Sequence, residues 1–137
     1  MRALNAVFGD AFDDPELYRA DTPDDAWLAR VLGRDHVIVL AAETDGRITG
    51  GLVAYELEKL EQARTEVYLY DLAVDARHRR RGIATALIRR LGAIAHQRGA
   101  WVVFVQADPP DAAAVALYGK LGQREAVLHF DIRPAPE

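Results

Sequence analysis

Between residues 65 and 107 the chain reads strand, turn, helix, strand, and that order constrains most of what it can fold into. "TEVYLYDLAV" (65–74) is rich in aromatic and β-branched residues and predicts a strand. From Ile83 to about Arg98 the apolar residues Ile83, Leu87, Leu91, Ile94 and Ala95 recur at helical spacing, and Gly99 ends the run. "WVVFVQA" (101–107) is short and nearly all apolar, which predicts a strand buried on both faces.

The flanking segments extend the pattern. "HVIVLAAE" (36–43) and "ITGGLVAYELE" (48–58) predict two strands joined by a hairpin turn at "TDGR". Residues 2–12 and 24–33 read as helices, the second opening at "TPDDAW" with Thr22 as the expected cap and Pro23 at the first helical position. Asp111 is expected to cap a helix running to about Leu121, and "AVLHFDI" (126–132) predicts a last strand. Antiparallel strands followed by β-α-β-α-β give an α/β class with a mixed sheet flanked by helices. Nothing in the 137 residues marks a linker or repeat, so one domain spanning 1–137 is expected.

The turn inside the central unit is unusual. "DARHRRRGIATALIRR" (75–90) places Arg77, His78, Arg79, Arg80 and Arg81 immediately before Gly82 and the helix. A helix start is already positive and carries unpaired N–H donors, so cations there have the wrong sign. Residues 76–82 also contain none of the usual capping side chains. Both oddities resolve if the N–H groups from about Arg81 to Thr85 bind an anion, with the arginines supplying countercharge and Gly82 and Ala84 leaving the backbone approachable. Neither the G-x-x-x-x-G-K-[ST] loop nor the three-glycine dinucleotide fingerprint is present.

Composition narrows the ligand. Residues 75–98 hold seven arginines and one acid, which leaves ten basic and twenty acidic residues elsewhere. A basic island in an acidic body suits a compact anion beside a cationic second ligand better than it suits nucleic acid. The absence of cysteine excludes disulfides, thiolate–metal sites and a cysteine-linked acyl intermediate, and fits a cytoplasmic setting. No apolar run approaches the ~20 residues that span a bilayer, and the acidic N-terminus does not read as a signal peptide. His36, His78 and His96 show no metal-ligand spacing, so no metal is expected.

"LAVDARHRRRGIATALI" resembles the acyl-coenzyme-A-binding motif of the GNAT superfamily of N-acyltransferases, its R-x-x-G-x-A core being Arg79, Gly82 and Ala84. "AAAVALYGKLG" (112–122) resembles that superfamily's second signature, in the expected order. "EKLEQARTEVYLYDLAV", "VQADPPDAAAVALYGKLG" and "LHFDI" are similar to the aminoglycoside 3-N-acetyltransferases, the gentamicin-modifying branch, over about residues 36–133. Members of the family open with a strand and a longer first helix, so the first edge strand is expected to be absent here.

The resemblance implies acetyl-CoA as donor, an aminoglycoside as acceptor, direct transfer in a ternary complex, a GNAT fold, and a homodimer as in many relatives. It assigns the pyrophosphate to Arg79, Arg80, Arg81, Gly82, Ile83, Ala84 and Thr85. The pantetheine falls to the backbone of Leu72, Ala73 and Val74. It makes Tyr118 the proton donor to the thiolate and gives Asp111 a place near the cofactor. A polyamine acetyltransferase, or a CoA-binding module without catalysis, would share the donor site.

For the base, Asp71 stands out from the residues themselves. In strict alternation it shares an apolar face with Val67 and Leu69, where burial raises a carboxylate's pKa toward a useful range. Glu66 falls on the other face and ranks lower. The resembled family carries the same Tyr-Asp pair as Tyr70–Asp71. A polycationic acceptor calls for carboxylates, and Glu56, Glu58, Glu61, Asp71, Asp108, Asp111 and Asp131 are candidates near strand ends. The acidic N-terminal third, including Asp10, Asp13, Asp14, Glu16, Asp21, Asp24 and Asp25, is a further source, and His129 alternates with Asp131.

Overall fold

A computed structural model describes residues 1–14, 17–18 and 22–135; Glu16 and Asp21 lie outside the described residues. The chain divides into two units, residues 1–106 and 107–137. In the first, helices α1 (Arg2–Ala11) and α2 (Asp25–Leu32) precede strands β1 (Val37–Thr44), β2 (Arg47–Glu58) and β3 (Thr65–Val74). A short 3-10 turn (Ala76–His78), helix α3 (Ile83–Gln97) and strand β4 (Ala100–Val105) follow. The sheet order is β1-β2-β3-β4, antiparallel for the first two pairs and parallel between β3 and β4. This is the expected mixed sheet.

The hairpin joining β1 to β2 turns at Asp45 and Gly46, both with positive φ (51° and 75°), as a two-residue turn between twisted strands requires. α1 lies on one sheet face, with Leu4 and Phe8 buried in a cluster with Val53 and Ala73. Leu52, Ala54, Val67 and Leu69 are buried on the opposite face. There α3 packs across all four strands and buries Leu87, Leu91 and Ala95.

Three expectations need correction. Thr22 does not cap α2: Asp24 does, its Oδ1 accepting the Trp27 N–H at 2.7 Å, with Pro23 outside the helix. β4 is not buried on both faces. Among the described residues it is an edge strand paired only with β3, and Trp101 remains 68% exposed under the Arg64 guanidinium, 4.4 Å away.

The third concerns the second unit. There Asp111 caps helix α4 (Ala112–Gly119) as expected, its Oδ1 accepting the Ala114 N–H at 2.9 Å. Residues 123–135, however, carry no regular structure, so 126–132 is not a strand. Leu128, Phe130 and Ile132 alternate with His129 and Asp131, but alternation alone makes no ladder without a partner strand, and all three apolar side chains are exposed.

The seating of α1 depends on one missing side chain. A Cβ on Gly51 would lie 2.5 Å from the Leu40 carbonyl oxygen and 2.6 Å from Leu4 Cδ1. The first obstacle is backbone of β1 and cannot rotate away. Gly51→Ala should therefore destabilise the fold by about 1–3 kcal/mol, the usual range for overpacking, measured by chemical denaturation.

Candidate active site

Asp71 reaches its position through a bulge. In the β2–β3 ladder Ala54 opposes Leu69 and Val53 opposes Asp71, so Tyr70 is an extra residue on β3. The bulge resets the alternation. Asp71 therefore does not share a face with Val67 and Leu69, as strict alternation predicts. It falls on the α1 face with Val53 and Ala73. Glu66 lands on that same side by register but at the far end of the strand, between Lys59 (3.7 Å) and Arg64 (3.8 Å).

Asp71 lines a cleft of about 180 Å³ between the sheet, α1 and α2, walled by Phe8, Tyr18, Trp27, Val39, Val53 and Tyr55 among others. Tyr70 contributes its ring to an edge-on cluster with Tyr55 (5.8 Å) and Tyr68 (5.4 Å). Burial holds the Asp71 carboxyl above the usual carboxylate range, opposed by a hydrogen bond from the Tyr18 hydroxyl at 3.3 Å. The same contact works on the phenol in reverse. Burial, then the Asp71 charge and hydrogen bond, push Tyr18 up to about 12.

Just beyond Asp71 the two parallel strands part. β4 ends at Val105, opposite Leu69, so among the described residues the β4-facing side of Leu72, Ala73 and Val74 has no strand partner. Their other side is paired to Gly50, Gly51 and Leu52 of β2. A strand edge without a ladder partner results, leading toward the basic turn, with only the Val74 carbonyl oxygen engaged there, by Arg79.

In that turn the arginines divide. Arg77 is committed to Asp75, with Nη2 2.9 Å from the carboxylate, and this pairing holds Asp75 far below the usual range. Arg79 donates through Nε to the Val74 carbonyl oxygen at 3.1 Å and ties the loop to the strand end. Among the described residues Arg80 and Arg81 have no acidic partner. Arg80 itself takes a left-handed backbone (φ 62°).

Gly82 is the N-cap of α3 with φ 81°, no side chain caps the helix, and a Cβ at Gly82 would meet nothing within 4 Å. The first turn closes with the Ala86 N–H on the Gly82 carbonyl at 2.9 Å, leaving the N–H groups of Ile83, Ala84 and Thr85 ahead of it. An approachable donor cluster beside two guanidinium groups that have no acidic partner among the described residues suits a pyrophosphate.

The remaining candidates scatter. Glu56 is turned to the α3 face, where it accepts from Arg98 Nη1 at 2.9 Å and fastens the helix end. Glu58 ends β2, five residues from the pair position of Asp71, on the order of 16 Å along the strand. Glu61 lies in the β2–β3 loop, 3.7 Å from Lys59 and 3.8 Å from Arg64. Asp25 pairs with Arg2 at 2.8 Å.

Asp108, Asp111, Tyr118 and Asp131 belong to the second unit. In it Tyr118 is pushed up to about 12 by burial and by Asp111, so its phenol stays protonated at neutral pH. Asp131 Oδ1 is 3.0 Å from His129 Nε2, as residues on one side of an extended segment allow. Tyr18, Tyr55 and Trp27 were not legible as site residues in the sequence. Tyr18 lies 53 positions from Asp71 and follows no periodic pattern. Among the described residues no cluster of three metal-ligating side chains occurs.

With the splayed strands, the uncapped basic helix start and the carboxylate cleft in place, the class follows. The acetyltransferase (GNAT) family model matches residues 3–123, and the chain belongs to that family. Among solved structures it is similar to an aminoglycoside acetyltransferase from an uncultured soil metagenomic sample, at 55% identity over 98% of this chain and 90% of that one (TM-score 0.96). A second aminoglycoside acetyltransferase from such a sample, solved with sisomicin, is 31% identical over 97% of this chain and 87% of that one (TM-score 0.88).

Among curated proteins, the ribosomal protein bS18-alanine N-acetyltransferase of Escherichia coli K12 is 32% identical over 53% of this chain. The chain spans about half or less of the length of the curated relatives it matches, 49% of this enzyme and 40% of rat N-acetyltransferase 8B. No helix among the described residues is long and apolar enough to cross a membrane.

The Tyr18–Asp71 contact has a direct spectroscopic consequence. A neighbouring carboxylate opposes formation of a phenolate, so replacing it should make the phenol more acidic. In Asp71→Asn, the Tyr18 titration, followed by NMR of ring-labelled tyrosine, should move down from about 12 toward the ordinary ~10.

Proposed function

We propose that the chain is an aminoglycoside 3-N-acetyltransferase, taking acetyl from acetyl-CoA and placing it on the 3-amino group of a 2-deoxystreptamine antibiotic such as gentamicin. One observation carries this reading: a bulge-positioned carboxylate in an aromatic-walled cleft, next to an open strand edge that leads to an uncapped basic helix start. The 55% identity to a structure described as an aminoglycoside acetyltransferase supports the acceptor class. The 3-amino position rests on the sequence resemblance.

The residues divide the reaction between them. The N–H groups of Ile83, Ala84 and Thr85, with Arg80 and Arg81, hold the pyrophosphate of acetyl-CoA, and Arg79 braces the loop that presents them. The free edge of Leu72, Ala73 and Val74 pairs with the pantetheine amides. The aromatic walls and Asp71 receive one ring of the polycation and orient its amine.

Asp71 takes a proton from the amine as its nitrogen forms the bond to the thioester carbonyl carbon. The carbon–sulfur bond then breaks, and the departing thiolate takes a proton from Tyr118, a role resting on its place in the "ALYGKLG" signature. No covalent acyl-enzyme is needed, and the chain has no cysteine to form one. Asp108, Asp111 and Asp131 add negative charge for the cationic acceptor. Glu56 is left out, being engaged by Arg98.

The reading is tested by acetyl-CoA turnover with gentamicin, kanamycin, spermidine and a peptide bearing an N-terminal alanine, side by side. Aminoglycosides should react best, and NMR of the product should place the acetyl on the 3-amino nitrogen. Preferred turnover of spermidine or the peptide overturns the acceptor assignment.

A variant isolates the base. Asp71→Asn should lower turnover on gentamicin by roughly 10²-fold or more at neutral pH and recover partly at alkaline pH, where more of the amine is neutral. A loss confined to the acceptor KM, shrinking as salt rises, would mean that Asp71 only attracts the cation.

A further inference from the structure

The contact between Tyr18 and Asp71 joins two parts of the chain that no sequence pattern links. Tyr18 follows α1, and Asp71 follows the bulge in β3. The phenol ring is anchored on its apolar side by Phe8 (6.0 Å) and Phe12 (5.8 Å), so the hydroxyl is presented from a packed aromatic cluster. It meets Asp71 Oδ1 at 3.3 Å, and both residues line the same cleft.

We propose that Tyr18 is the positioning residue for Asp71, its hydroxyl occupying Oδ1 so that the carboxylate is held with Oδ2 available to the acceptor amine. The proposal rests on the reading of Asp71 as proton acceptor. A carboxylate in a half-buried cleft otherwise has two rotamer-free oxygens and a desolvation penalty opposing its charge. The Tyr18 hydroxyl offsets part of that penalty by hydrogen bonding to the charged form.

The other ionisable groups near Asp71 do not substitute for it. Tyr55 on β2 and Tyr68 and Tyr70 on β3 stand around the carboxylate; burial first, with the Asp71 charge adding to it, raises the first two phenols. Asp71's hydrogen bond, however, comes from Tyr18. α1 and α2 face the cleft with Asn5, Phe8, Trp27 and Leu28, none of which has a charged side chain. Asp14 acts on the Tyr18 phenol.

Tyr18→Phe keeps the ring and its packing and deletes only the hydroxyl. Its sign is fixed: without the donor, the charged form of Asp71 is less favoured and its pKa rises. The acidic limb of kcat/KM against pH should move upward, with the alkaline plateau close to native. The Asp71 carboxyl titration, read by 13C NMR on the folded enzyme without substrates, should move upward with it. Phe12→Leu, which disturbs the same aromatic cluster but leaves the hydroxyl, should leave both in place.

An unmoved carboxyl titration in Tyr18→Phe overturns the proposal, as does an equal displacement in Phe12→Leu, which would make the effect one of packing. Failure of the base reading looks different. Asp71→Asn would then retain the native acidic limb, while the carboxyl titration would still decide whether Tyr18 holds Asp71.

Discussion

The extra residue in β3 is the constraint on which the site depends. With an unbroken ladder Asp71 would point to the α3 side among Val67 and Leu69, which are 0% and 2% exposed. A carboxylate in that dry layer would lack a partner and cost several kcal/mol. Inserting Tyr70 turns Asp71 to the α1 side and puts the Tyr70 ring with Tyr55 and Tyr68. A few residues later β3 loses its parallel neighbour, since β4 stops opposite Leu69. Carboxylate and open edge are thus adjacent features of one strand.

Charge is distributed with similar economy along the basic turn and the helix behind it. Arg77 is neutralised by Asp75, Arg79 is bound to the strand end, and Arg98 is locked to Glu56 and the Asp35 carbonyl. Among the described residues Arg80 and Arg81 are left without an acidic partner beside the first-turn N–H groups. Different members of the arginine cluster therefore build the loop and remain uncommitted.

Much of this was legible in the sequence. The strand–turn–helix–strand core, the Asp-Gly hairpin and the uncapped basic helix start follow from local periodicity and turn chemistry, and all three are present. Asp71 was singled out as a carboxylate on a strand, but its face was misassigned, because a bulge changes pairing by one residue and leaves no mark on alternation. Tyr18 was invisible because its contact is tertiary. Asp24 displaced Thr22 as cap because its carboxylate reaches the Trp27 N–H. The alternating tail 126–132 looked like a strand, but strands are completed by partners and the sequence names none.

The most direct measurement of the account is a crystal structure of the enzyme with CoA and gentamicin bound together. The account places the 3-amino nitrogen within hydrogen-bond reach of the Asp71 carboxylate, roughly 2.6–3.2 Å. It also places the pantetheine amides on the free edge of Leu72–Val74 and the pyrophosphate at the start of α3. A gentamicin amine held elsewhere, with Asp71 contacting only Tyr18, would contradict it.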